Sequence, residues 1–91
     1  MSHVSTNRDK LVARVRRIAG QVAALERTIQ SDASCAETLH LVAAVRGAVA
    51  GLMDELVEEH LRTHVADAGL SDDARTQAAD ELVTVLRRHF R

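Results

Sequence analysis

The chain has 91 residues, 46% hydrophobic and 27% charged, with a formal net charge of −1. That composition is one small globular domain, neither disordered nor membrane-embedded. No Pro, Trp or Tyr, a single Phe and four Gly leave too few turn formers and β-favouring aromatics for an all-β fold, and the remaining Ala, Leu, Val, Arg and Glu favour helices. A chain this short buries only about 60% of the surface its unfolded form exposes, and its lone Cys cannot close an internal disulfide. Association with further copies is therefore the expected source of stability. A free thiol, an N-terminus without an apolar leader core and the lack of about 18 uninterrupted apolar residues all fit a cytoplasmic, non-membrane protein.

The first predicted helix covers about residues 7–30. Leu11, Val15, Ile18, Val22, Leu25 and Ile29 alternate in steps of four and three along one stripe, and Thr6 stands before it as a candidate N-cap. Ser34-Cys35-Ala36-Glu37 has the spacing of a capping box, which starts a second helix at Cys35. Val42, Val45, Val49, Leu52 and Leu56 form one apolar stripe of this helix, and Leu41, Met53, Val57 and Leu61 form another. Apolar on two sides, the element is central and runs to about Val65. Asp67-Ala68-Gly69 interrupts it, and Ser71 followed by Asp72 and Asp73 caps a third helix over about 72–90, with Ala78, Ala79, Leu82, Leu86 and Phe90 turned inward. The fold class is all-α, and residues 1–91 form one domain without repeats or linkers.

His60 and His64 are one helical turn apart, so their imidazoles can share a metal ion. Cys35 sits in a first helical turn, where the dipole and free amides favour the thiolate that ligates metals or attacks electrophiles. On one straight helix Cys35 and His60 stand roughly 38 Å apart and cannot meet. Two copies packed antiparallel, crossing near residue 48, bring Cys35 of one beside His60 and His64 of the other. The crossing segment Ala43-Ala44-Val45-Arg46-Gly47-Ala48-Val49-Ala50-Gly51 is rich in small residues, which permit close backbone approach. A glycine inside a helix costs about 1 kcal/mol unless such a contact offsets it. His3, close to the N-terminal amine, is a fourth candidate ligand. A thiolate with imidazoles suits Ni, Co, Cu or Zn better than Mg or Ca. His40 and His89 lack such company and read as solvated surface residues.

Charge is unevenly spread. Residues 1–30 carry six basic side chains against two acidic ones, residues 31–85 three against eleven, and the last six residues add Arg87, Arg88 and Arg91. Lys10, Arg14 and Arg17 share one face of the first helix, with Gln21 a turn further on. Such a stripe can be an ordinary solvated face; repeated across a symmetric oligomer it becomes a phosphate-binding surface. Helix-turn-helix, zinc-finger and basic-zipper signatures are all missing, as are a paired acid and base or a phosphate-cradling loop, so an enzyme is not expected.

Three segments together resemble the CsoR/RcnR family of metal- and formaldehyde-responsive bacterial repressors: Arg14-Val15-Arg16-Arg17-Ile18-Ala19-Gly20-Gln21-Val22, Val42 through Met53, and Glu59-His60-Leu61. The resemblance covers essentially the whole chain. It implies a three-helix protomer, an antiparallel four-helix-bundle dimer and a dimer of dimers that holds operator DNA until an effector releases it. Copper sensors of the family carry a second Cys where this chain has His64, which argues against copper. His3, Cys35, His60 and His64 look like the ligand set of the nickel/cobalt, RcnR-like branch, with Zn among other possible ions. The FrmR-like, formaldehyde-sensing branch shares Cys35 and His60 but typically has Pro at position 2 and often Glu at 64, where this chain has Ser2 and His64. In that alternative Cys35 is crosslinked to the amine of Ser2. The helix-one run Arg14-Val15-Arg16-Arg17-Ile18 is itself similar to formaldehyde sensors. DNA contact, by resemblance, falls on Arg14 and Arg17 with Lys10 and Gln21 beside them. The expectation is a Ni(II)- or Co(II)-released repressor of an efflux or detoxification gene, against a formaldehyde-responsive repressor or a purely structural helical interaction module.

Overall fold

A computed structural model describes the backbone of residues 5–90 and the side chains of residues 7–90. Three α-helices follow one another, α1 (Ser5–Gln30), α2 (Cys35–His60) and α3 (Asp72–His89), with a π-helical turn, Leu61–Val65, continuing α2. The described residues contain no strand, as the composition requires.

Local chemistry sets each boundary. Asp32 adopts a left-handed φ of 61°, and the Ala33 amide donates back to the Thr28 carbonyl at 3.4 Å. Together these make a Schellman-type stop for α1, with Asp where Gly is usual. Ser34 then accepts from the Glu37 amide at 3.2 Å, the first half of the expected capping box. Ser71 caps α3 by accepting from the Ala74 amide at 3.1 Å, and Asp72 and Asp73 occupy its first turn.

Three boundaries differ from expectation. The first helix begins at Ser5, so Thr6 lies inside it rather than capping it. The second is α-helical only to His60, after which the Ala66 amide reaches the Leu61 carbonyl at 2.7 Å, one residue further back than an α-helix allows. The third ends at His89, and Phe90 caps it while 52% exposed.

Contacts group the chain into two units, Met1–Met53 and Asp54–Arg91, with α2 contributing to both. In the first unit the apolar stripe of α1 divides. Leu11, Ile18 and Leu25 are partly buried, as are Leu41, Val45, Ala48 and Leu52 of α2, whereas Val15, Val22 and Ile29 of α1 and Leu39, Val42 and Val49 of α2 stay exposed. In the second unit Ala78 is the one buried hydrophobic residue among those described, and Val83, Leu86 and Phe90 are exposed, against the expectation that Leu86 and Phe90 face inward. Neither unit encloses its own apolar residues. Cys35–Val65 is long and apolar enough to cross a membrane by length and composition alone, which is also what a helix apolar on two sides presents to partner helices.

Candidate functional site

The end of α2, the π turn and the start of α3 form a cleft of about 290 Å³ lined by His60, His64, Leu70, Ala74, Gln77, Ala78 and Glu81. The rings of His60 and His64 lie 5.3 Å apart between centroids and are tilted by 49°, so the sequence-predicted pair is brought together. His60 Nε2 bonds to the carbonyl oxygen of Ala78 at 2.8 Å. A carbonyl only accepts, so Nε2 carries the proton and Nδ1 of the neutral ring keeps its lone pair for a ligand. This is the arrangement by which a backbone acceptor fixes the tautomer of a ligating histidine.

The π turn carrying His64 is tied down from α3. Arg75 donates from Nε to the Val65 carbonyl at 2.8 Å and from Nη2 to the Asp67 carbonyl at 3.0 Å. It thereby serves the Val65 carbonyl at the end of the π turn and adds a second donor to the Asp67 carbonyl, which also accepts from the Leu70 amide at 3.3 Å. Asp72 lies 3.5 Å from Nη1 of the same guanidinium.

Cys35 is a free, exposed thiol at the first position of α2, in the other unit. Among the described residues of one chain, no three His, Cys, Asp or Glu side chains gather closely enough to hold a metal ion. His3 and Ser2 lie outside the described residues. His40 and His89 are exposed, as expected of surface residues.

The basic constellation sits in the first unit. A second cleft, about 340 Å³, is lined by Arg14, Arg17, Ile18 and Gln21 from α1 and by Gly47, Ala48 and Gly51 from α2. Lys10 is exposed and not part of this lining. Arg14 is partly buried while Arg16 and Arg17 are exposed, so Arg14 is not on a simple solvated face. Gln21 Oε1 is buried without a hydrogen-bond partner.

Nearly all of the helical segment matches a family of known function: residues 7–88 fit the sequence model of the metal-sensitive transcriptional repressors. The chain belongs to that family. It is also similar to the transcriptional repressor RcnR of Salmonella arizonae, with 40% identity over 87 residues covering 96% of this chain and 92% of the relative. A protein encoded in the 5′ region of bioA in Serratia marcescens is 47% identical over the full length of both chains. Among solved structures, a Glu-to-His variant of the formaldehyde-responsive regulator FrmR from Salmonella enterica serovar Typhimurium superimposes with a TM-score of 0.89. It shares 40% identity, over 98% of this chain and 100% of the other. These matches agree with the CsoR/RcnR resemblance carried by the sequence motifs. The repressor family is one of DNA-binding regulators, not enzymes.

Sequence reasoning missed two residues of the His60/His64 cleft, Ala78 and Glu81, and one that braces its turn, Arg75. The Ala78 carbonyl that orients His60 is backbone and has no sequence signature. Arg75 and Glu81 are charged positions of α3. Nothing in their spacing marks them out.

Proposed function

We propose that this chain is a cytoplasmic, oligomeric repressor released from operator DNA by Ni(II) or Co(II), held by His60 and His64 of one copy, Cys35 of another and His3. The paired imidazoles carry the reading, with His60 Nε2 occupied by Ala78 and Nδ1 left as the ligand atom. The donor set of one thiol and several imidazoles fits a borderline transition metal. Similarity to RcnR and the presence of His64 support the nickel/cobalt branch. The lack of a complete ligand group within one chain's described residues suits a site shared between copies. So do the exposed valines and leucines of α1 and α2, which an antiparallel partner would cover. A bound ion would favour one arrangement of the oligomer over another, which is how an effector shifts DNA affinity.

A formaldehyde-responsive reading has its own support in the likeness to FrmR and in the exposed Cys35 thiol. There the thiol adds to the aldehyde carbon, and the Ser2 amine, exposed after Met1 removal, displaces water to leave a sulfur–methylene–nitrogen bridge. Co(II) titration distinguishes the two. The metal reading predicts thiolate-to-cobalt charge-transfer absorption that Cys35→Ala removes, together with loss of a gel shift on DNA from upstream of the chain's own gene. Wild-type protein that binds this DNA but gives no such absorption, while formaldehyde yields the methylene bridge by mass spectrometry, overturns it.

A further inference from the structure

Mid-helix glycines ordinarily give way to alanine, because Gly costs about 1 kcal/mol relative to Ala there. Three glycines lie within α1 and α2, and their surroundings differ. A Cβ added at Gly20 or Gly47 would meet nothing within 4 Å. A Cβ at Gly51 would lie 2.8 Å from Nη1 and 3.9 Å from Cζ of Arg14. The guanidinium of Arg14 therefore rests against the bare Cα of Gly51, closer than any side chain at 51 would permit. Both residues line the cleft that also holds Arg17 and Gln21.

We propose that Gly51 is a positioning residue for DNA binding, its missing side chain forming the seat that aims the Arg14 guanidinium. The inference rests on the DNA-binding reading of Arg14. A guanidinium grips a phosphate through a planar fork whose direction matters, so a seat that fixes its plane reduces the order lost on binding. The crossing of two copies gives small residues at 43–51 a separate reason to be small. That reason covers Gly47, which has open space around it in one chain, but it does not place Arg14 on Gly51.

The seat makes an unusual prediction, because stability and DNA affinity move in opposite directions. In Gly51→Ala the obstacle is the tip of a flexible side chain, which swings aside, while the helix gains from alanine. The melting midpoint should rise by a few degrees, as in the reference variant Gly20→Ala. Affinity for a duplex from upstream of the gene should fall roughly tenfold at low salt, with a shallower salt dependence, as for a lost phosphate contact. In an Arg14→Ala background, Gly51→Ala should keep its stability gain and change DNA affinity no further. Sedimentation of each variant reports the oligomer in parallel. An equal loss of affinity in both backgrounds would mean that Gly51 acts through the crossing of copies and would overturn the proposal. So would an unchanged affinity in Gly51→Ala when Arg14→Ala is weakened, with the DNA-binding reading intact. Wild-type protein that fails to shift the duplex at low salt overturns both.

Discussion

The two units are held by different physics. Around His60 and His64, directed polar bonds reach from one element to the next: His60 to the Ala78 carbonyl, and Arg75 to the carbonyls of Val65 and Asp67. The unit containing α1 and the first part of α2 has instead a divided apolar stripe, half of it exposed, and one arginine seated on a glycine. The first arrangement makes these bonds within a single chain, although Val83, Leu86 and Phe90 of the same unit stay exposed. The second still has an uncovered apolar face, and covering it needs another helix of the same character. A region that orients imidazoles and a region with an uncovered apolar face are what the proposed sensor, assembled from copies, would require.

Arg75→Met should have the larger effect of two stability tests, because it strips donors from two carbonyls at once. We expect a loss of about 1–2 kcal/mol in chemical denaturation. Co(II) affinity should fall with it, since the turn that carries His64 loses its tie. Unchanged stability would show that the polar bonds of this unit are incidental. The smaller test is Asp32→Gly at the stop of α1, where φ is 61°. Relief of the left-handed strain exceeds the added chain entropy of glycine by about 0.5 kcal/mol, read as a small rise in melting temperature. A fall would mean that the Asp32 side chain contributes more than its backbone costs.

The helices and the caps of α2 and α3, though not the expected Thr6 cap of α1, were legible because apolar spacing and the hydroxyls of Ser34 and Ser71 act locally. Both serines cap as their positions predict. The π turn was not legible. Moving one hydrogen bond from four residues back to five leaves the apolar spacing of Leu61 to Val65 unchanged. His60 and His64 were found by spacing, whereas the partner of His60 is a carbonyl that any residue at 78 would supply. Gly51 stood out as a mid-helix glycine, but the segment it closes, Ala43 to Gly51, is rich in small residues and pointed to a crossing between copies. Only the fold brings Arg14, thirty-seven positions earlier, onto it.

Whether sulfur and imidazole come from different copies is tested most directly by mixing two defective variants. Cys35→Ala keeps the imidazoles, and the double variant His60→Ala, His64→Ala keeps the thiol, so neither alone should give thiolate-to-cobalt absorption. Unfolded together and refolded, mixed dimers carry one intact site each, and about a quarter of the wild-type absorption should return. A mixture as silent as its components, formed from variants that still co-assemble, would contradict a site shared between copies.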